Sequence, residues 1–126
     1  MADEYNGPVT VEANDGTQNT LDNINVWGQS NMLVEMVKDT DPGNTIPLAG
    51  VSPGALDKTV EYMNQMAKWK EESPTEEDRK KWIDDYKEGL APQDQLSLLF
   101  QTITAANFME LNSLLDELCK IIFPLP

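Results

Sequence analysis

The stretch Leu96–Pro126, "LSLLFQTITAANFMELNSLLDELCKIIFPLP", is the most apolar part of an acidic chain. Its periodicity predicts one helix over about Gln93 to Asn107 and a second over about Glu110 to Phe123, after which Pro124 and Pro126 stop the helix. We expect one side of these helices to close the core and the other side to dock another protein. The second helix presents a broad apolar face: Leu114, Leu115, Leu118, Ile121 and Ile122.

Upstream, "VTVEANDGTQNTLD" predicts a β-hairpin. Val9 and Val11 alternate with polar residues, as in a half-buried strand. Asp15-Gly16 is favoured as a two-residue turn, because glycine tolerates positive φ. The residues from Thr17 to Leu21 are then expected to return as a weak, polar second strand.

Two helices and a short strand are predicted next. "SNMLVEMVKD" is expected to form a helix that Ser30 caps. "TIPLAGV" is a short extended run, which Pro47 limits to a sheet edge or a strand start. Ser52 and Pro53 are suited to the N-cap and first turn of a longer helix. The apolar stripes of the two helices are Met32, Leu33, Met36 and Val37 in the first, and Leu56, Val60, Met63 and Ala67 in the second.

The segment "EESPTEEDRK", at about 70–80, is predicted to be an acidic, solvated insert. Thr75 to Asp78 has the pattern of a capping box that opens another short helix. Trp82 and Tyr86 are four residues apart and should pack on one side of that helix. Gly89 is a suitable position for its C-terminal cap.

The element order is therefore β-β-α-β-α, the acidic insert, and α-α. We predict a single α+β domain over residues 1–126, with a small, mostly three-stranded sheet covered by helices. The length of 126 residues suits one domain with a real core.

The composition excludes several classes of function. A net charge of −13 opposes binding to nucleic acid and to anionic membrane surfaces. No apolar run is long enough to span a bilayer, and the N-terminus lacks the pattern of a signal peptide. Most basic residues lie between Lys68 and Lys87, so the rest of the surface should be strongly negative. The single cysteine, Cys119, cannot form an internal disulfide, which fits an intracellular location.

Catalytic and cofactor sites are not expected either. The chain has no histidine, which removes Ser-His-Asp and Cys-His pairs and any His-ligated metal site. "DTDPGNT" resembles a calcium loop only in part, because Asn44 takes the place of the required glycine, and we predict a turn. Paired carboxylates such as Asp84-Asp85 lie in a charged run that is typical of a solvated face. Cys119 is expected to be a packed core residue rather than a reactive thiol. The sequence favours a binding protein that has no cofactor.

The C-terminal stretch resembles the Skp (S-phase kinase-associated protein) family and its relative elongin C. The resemblance is carried by Ala105-Ala106-Asn107-Phe108 and by Leu114-Leu115-Asp116-Glu117-Leu118-Cys119-Lys120. The hairpin at Asp15-Gly16, the Gln29-Ser30 pair, Pro47-Leu48 and Trp82 follow in the family's order.

This resemblance implies a BTB/POZ fold and an adaptor role in cullin–RING ubiquitin ligases, in cytoplasm and nucleus. Asn107 and Phe108 match positions that contact the N-terminal domain of the cullin. A second set matches positions on or near the helices that hold an F-box or BC-box receptor, or would form a dimer surface: Phe100, Ile103, Leu115, Cys119 and Ile122.

The chain also departs from the family pattern. The further helices that clasp the F-box in Skp proteins do not follow Pro126. Trp27 and Gly28 stand where smaller or charged residues are usual, and Ala49-Gly50 replaces a common Pro-Asn pair. A structural or self-associating protein that reuses the fold, with a homodimer through the last helix, is therefore a second hypothesis. An enzyme is a distant third.

Overall fold

A computed structural model of the chain describes residues 5–39, 43–90, 94 and 96–122. The strands are β1 (Val9–Glu12), β2 (Gln18–Leu21) and β3 (Ile46–Pro47). The helices are α1 (Ile24–Trp27), α2 (Asn31–Asp39), α3 (Pro53–Glu72), α4 (Glu76–Glu88), α5 (Leu96–Phe108) and α6 (Asn112–Ile122).

The three strands form one small sheet in the order β2-β1-β3. β1 is antiparallel to β2, with Val9 opposite Leu21, and parallel to β3, with Val11 opposite Ile46. All four of these side chains are buried, and the alternation in β1 predicted this for Val9 and Val11. Pro47 lies in an edge strand, where its missing N–H costs no ladder hydrogen bond. The three-stranded sheet and the edge position of Pro47 are confirmed.

The hairpin connection is longer than the predicted two-residue turn. Five residues separate the strands, and the Ala13 N–H donates to the Thr17 carbonyl at 2.7 Å. The Asn14 N–H donates to Val51 O at 2.8 Å, so the loop is extended to reach the segment after β3. Gly16 has φ +93°, a conformation that glycine adopts without strain and that other residues rarely adopt. Hydrogen bonds from Thr17 hold the pKa of the Asp15 carboxyl below its ordinary value.

The short helix α1 was missed by the sequence analysis. Asn23 caps it by accepting a hydrogen bond from the Asn25 N–H at 2.9 Å. Trp27 is only 2% exposed, and its indole N–H donates to Gly7 O at 2.9 Å. The tryptophan that departs from the family pattern is therefore a core anchor.

The central helices begin where their caps predicted. Ser52 Oγ accepts from the Ala55 N–H, and Ser30 Oγ accepts from the Leu33 N–H. α3 packs against α1 and α5, and α5 packs against α6. The Gln29 side-chain amide joins α1 to α3 by donating to Asn25 O at 3.0 Å and Met63 O at 2.7 Å. Together these contacts bury one continuous core.

The acidic insert at about 70–80 is mostly helical and mostly exposed. Only Ser73–Thr75 separates α3 from α4, and Thr75 caps α4 by accepting from the Asp78 N–H at 3.1 Å. α4 has 13 residues, so the predicted short helix is longer than expected. Trp82 and Tyr86 do pack together, with ring centroids 5.2 Å apart, and Gly89 is the C-cap.

One further boundary differs from the predictions. α6 begins at Asn112 rather than Glu110, because Glu110 has φ +56° and cannot belong to a right-handed helix. The predicted helix positions Gln93 and Phe123, and part of the calcium-like loop including Asp41, lie outside the described residues. The mixed α+β class is confirmed, with a helix-rich arrangement consistent with the BTB/POZ fold.

Candidate partner-docking surface

The inner face of α5 packs closely against α3. Leu99, Thr102 and the Ala105-Ala106 pair are buried on this face. A Cβ at Gly54 of α3 would lie 3.2 Å from Leu98 Cδ1, so the glycine permits the close approach of the two helices. α5 is therefore held against the core along its length.

The outer face of α5 carries the two most exposed aromatic side chains of the described chain. Phe100 is 54% exposed and Phe108 is 42% exposed. Thr104 lies between them at a spacing of four residues, so all three point to one side of the helix. We call this face, with its exposed neighbours, the α5 strip: Phe100, Gln101, Thr104, Asn107 and Phe108.

No residue of α5 is charged, although the chain as a whole carries 22 acidic residues. Depletion of charge together with exposed aromatic side chains is typical of the centre of a protein interface. Large exposed apolar groups on a small domain also tend to mark interaction sites. The chemistry of the α5 strip is therefore suited to a protein partner.

A groove of about 550 Å³ runs beside the α5 strip. Ser52 Oγ donates to Gln101 Oε1 at 2.6 Å and fixes the start of α3 against α5. A Cβ at Gly50 would lie 3.9 Å from the Phe108 ring, so this aromatic side chain sits beside the loop that follows β3. The groove is lined by Asn14, Gly50, Ser52, Ser97, Phe100, Gln101 and Thr104.

The turn after α5 fixes the position of the Asn107-Phe108 pair. Met109 is fully buried, and its carbonyl accepts a hydrogen bond of 2.5 Å from Ser30 Oγ. Leu111 is also buried, and its N–H donates to Ala106 O at 2.9 Å. Buried anchors on both sides of Glu110 therefore hold the exposed end of α5 in one orientation.

The structure divides the predicted site residues into two groups. Asn107, Phe108 and Phe100 are exposed on the α5 strip. Ile103, Leu115 and Cys119 are half-buried, and none of them lines the groove beside the strip. Ile122 is the last residue of α6, and its side chain lies outside the part of the chain that the structure describes. Cys119 lies at the margin of the core rather than inside it, so the prediction of a packed core cysteine is wrong.

Sequence analysis missed the polar residues around the groove. Gln101 and Thr104 could have been found from helical spacing, since Thr104 lies four positions after Phe100 and Gln101 lies seven positions before Phe108. Asn14, Gly50 and Ser52 come from loops that only the folded sheet and α3 bring beside α5. No local pattern in those loops points to the groove.

Within residues 5–39, 43–90, 94 and 96–122, no group of three or more His, Cys, Asp or Glu side chains is placed to hold a metal ion. Within the same ranges, no helix combines the length and the apolar character that a membrane crossing requires.

Comparison with known proteins gives a consistent set of relatives. SKP1-like protein 13 of Arabidopsis thaliana is 33% identical over 97 residues, which cover 75% of this chain and 60% of that protein. The E3 ubiquitin ligase complex SCF subunit sconC of Arthroderma otae is 31% identical over 130 residues, or 97% of this chain and 76% of the relative. SKP1-like protein 5 of Arabidopsis thaliana is 30% identical over 114 residues, or 90% and 69%.

The chain thus spans between 60% and 76% of the length of these curated relatives. No family model matches it.

Proposed function

This chain belongs to the family of SKP1-like proteins, and from that premise we propose that it is a non-enzymatic adaptor of an SCF-type E3 ubiquitin ligase. It links a substrate receptor to the cullin and performs no chemistry itself. One relative is named as a subunit of an E3 ubiquitin ligase SCF complex, and it aligns with 97% of this chain.

The observation that best supports this proposal is the α5 strip. A helix without charged residues presents two exposed phenylalanines at the surface of a chain with net charge −13. Such a surface is costly to leave in water, since full burial of an exposed large apolar side chain is worth about 1.5–3 kcal/mol. Because the two rings are already about half buried, a partner protein that covers the strip recovers roughly half of this free energy for each ring.

We assign cullin contact to Asn107 and Phe108, at the exposed end of α5. An exposed aromatic next to an amide offers an apolar anchor and a directional hydrogen-bonding group, which is the usual composition of a hot spot and its rim. The turn held by Met109 and Ser30 keeps the pair in place before the partner arrives, which reduces the entropic cost of binding.

We assign receptor contact to the neighbouring surface on α5 and α6. Phe100 is the exposed member, and Ile103, Leu115 and Cys119 are half-buried beside the core. Leu115 and Cys119 are four residues apart on α6, so they belong to one side of that helix. Ile122 is included because it lies three positions after Cys119 in the sequence.

As an adaptor, the protein would hold the receptor and the cullin in a fixed relative position on one rigid domain. The bound substrate and the ubiquitin-carrying enzyme then meet within one complex. Linkage of this kind raises the effective concentration of the substrate near the enzyme to the millimolar range when the geometry allows both contacts. A single core and a fixed α5–α6 turn supply the required rigidity.

The cullin assignment can be tested by calorimetry with a cullin N-terminal domain. We expect a one-to-one complex whose affinity falls by at least about tenfold in Asn107→Lys, because a cation would replace an amide in the centre of the contact. Asn64→Lys is the matched control, since Asn64 is an exposed asparagine on α3 and lies outside the α5 strip. Absence of any complex, or equal effects of the two variants, would refute the assignment.

The receptor assignment is tested with an F-box segment. Phe100→Asp should weaken receptor binding and leave cullin binding unchanged, because Phe100 and the Asn107-Phe108 pair are assigned to different partners. A second copy of this chain is the competing occupant of the Phe100 face. Light scattering of the pure protein distinguishes them: a dimer that Phe100→Asp dissociates, together with unchanged F-box binding, would favour self-association.

We also propose a location in cytoplasm and nucleus, as expected for an adaptor of intracellular ubiquitin ligases. Fluorescence microscopy of the tagged full chain tests this proposal, and secretion of the protein would contradict it.

A further inference from the structure

A second groove, separate from the α5 strip, lies between α3, α4 and α6. Its volume is about 490 Å³, within the range of binding sites for small molecules and side chains. Four of its eleven lining residues are large apolar side chains from α3 and α4, and the other seven are polar or charged. We call it the aromatic groove, and the residues used in the argument are Tyr62, Met66, Trp69, Arg79, Ile83 and Glu117.

The wall of the aromatic groove is braced by a cluster of rings. Trp69 meets Trp82 edge-on with centroids 5.6 Å apart, and Tyr62 lies 6.4 Å from Trp82 and 6.0 Å from Tyr86. The Tyr62 and Ser113 hydroxyls are 2.5 Å apart and hydrogen-bonded, which joins α3 to α6. These contacts hold the groove open as a preformed surface.

One cation at the groove differs from the others in its partners. Lys80 is paired with Asp84 at 3.2 Å, and Lys87 is paired with Glu117 at 3.3 Å. Arg79 has no carboxylate within 4.0 Å among the described residues and lies over the Trp69 ring, 5.3 Å from its centroid. A guanidinium stacked in this way keeps its N–H donors at the edge, where they can bind a carboxylate.

A second cavity of about 310 Å³ adjoins the aromatic groove along α4 and α6, and Asp84 and Lys87 line both cavities. Lys120 and Ile121 also line the second cavity. Two cavities side by side along a helix suit a chain molecule better than a compact ligand.

We propose that the aromatic groove binds a short peptide segment of a partner protein, which places one large apolar side chain between Trp69 and Ile83 and one carboxylate on Arg79. The segment carries a single carboxylate near this end, because Glu76 also lines the groove and the whole chain has net charge −13. The site lies outside the α5 strip, so the inference goes beyond the proposed adaptor function and does not depend on it.

The test is to pan a random linear heptapeptide phage library against the full chain and to measure the enriched peptides, once synthesised, by fluorescence polarisation. We expect peptides that share one large apolar residue and one Asp or Glu. Replacing that acid by its amide should weaken binding about fivefold, the effect of an exposed ion pair. Arg79→Gln should weaken the acidic peptide equally and remove the difference between acid and amide.

Lys81→Gln is the matched control, because Lys81 is an exposed cation on the same helix and does not line the groove. It should leave binding unchanged. Circular dichroism checks that Arg79→Gln is folded, and its cullin binding should equal that of the wild type. The proposal is overturned if no peptide is enriched, if Arg79→Gln and Lys81→Gln act alike, or if amide shifts in NMR spectra place the peptides on the α5 strip.

Discussion

At the scale of single residues, two non-glycine positions with positive φ mark helix ends. Ser73 follows α3 with φ +48°, and Glu110 lies between α5 and α6 with φ +56°. Side chains with a Cβ are strained in this region, whereas glycine is not. Glu110 is held there by the buried Met109 and Leu111 on either side, so the strain is imposed by the packing that fixes Phe108.

Replacing Glu110 by glycine should therefore stabilise the protein. We expect the free energy of unfolding to rise by about 0.5–1 kcal/mol, because the left-handed conformation costs glycine little. Urea denaturation measures the change. Glu35→Gly, in the middle of α2, serves as the control and should cost about 1 kcal/mol. A loss of stability in both variants would mean that Glu110 is not strained.

Ser30 makes two hydrogen bonds, one that caps α2 and one that links α2 to the turn after α5. Its hydroxyl oxygen caps α2 and its proton goes to the buried Met109 carbonyl. Ser30→Ala should cost about 2–4 kcal/mol, the sum of a lost cap and an unsatisfied buried carbonyl. Thr75→Ala removes an exposed cap without a buried partner and should cost only about 1 kcal/mol. Equal losses in thermal denaturation would show that the bond to Met109 adds nothing.

Among the helices, α4 is attached to the rest of the domain by a few side chains rather than by a broad buried face. Tyr86 is its one buried residue, and the Tyr86 hydroxyl donates to Lys58 O at 2.6 Å. Trp82 stacks on Tyr86, and Lys87 reaches Glu117 on α6. Local opening of α4 should thus occur at lower free energy than unfolding of the core.

Because Tyr86 is buried, the protein should become less stable at alkaline pH. Burial, with smaller effects of Glu61 and Tyr62, raises the pKa of the Tyr86 hydroxyl well above its ordinary value of 10.0. Above pH 10 the unfolded tyrosine loses its proton while the folded one keeps it. Unfolding then releases a proton, so stability is complete below about pH 10 and falls as the pH rises further.

Tyr86→Phe should reduce this alkaline loss, at a cost of about 1 kcal/mol at neutral pH for the hydrogen bond to Lys58. Urea midpoints between pH 8 and pH 12 measure it. Burial also raises the pKa of Tyr62, so part of the pH dependence should remain. Tyr5→Phe is the control outside the cluster. An alkaline loss that Tyr86→Phe leaves unchanged would contradict the prediction.

At the scale of the whole molecule, charge repulsion opposes folding. The net charge is −13, and the ion pairs of the described residues involve five basic side chains on a largely acidic surface. A compact chain with this excess of one sign is destabilised by its own field. Salt weakens that field, since the Debye length falls from about 30 Å at 0.01 M to about 8 Å at 0.15 M.

Raising NaCl from about 0.01 M to about 0.15 M should therefore raise the melting temperature by a few degrees. Differential scanning fluorimetry measures the shift. Replacing the exposed Glu71 and Glu72 by Gln removes two negative charges and should make the shift smaller. A melting temperature that falls with added salt would mean that ion pairs outweigh the general repulsion.

The features of this protein that depend on local chemistry could be predicted from the amino-acid sequence. The alternation of Val9 and Val11 predicted β1, the caps Ser30, Ser52 and Thr75 predicted three helix starts, and Pro47 predicted an edge strand. The motif around Asn107-Phe108 identified the family. These features follow from φ/ψ preferences, backbone hydrogen bonding and helical or strand periodicity, which act over a few residues.

The features that join distant residues could not be predicted, because they depend on which segments meet in the folded chain. The loop at Asn14 bonds to Val51, and Glu110 is left-handed between two buried neighbours. Phe100 and Ile103 are both apolar residues of one helix, and packing alone left one exposed and the other half-buried. Arg79 lies over Trp69 because α4 folds back on α3. Local preferences carry no information on which segments meet, and that selection is made by burial of the whole core.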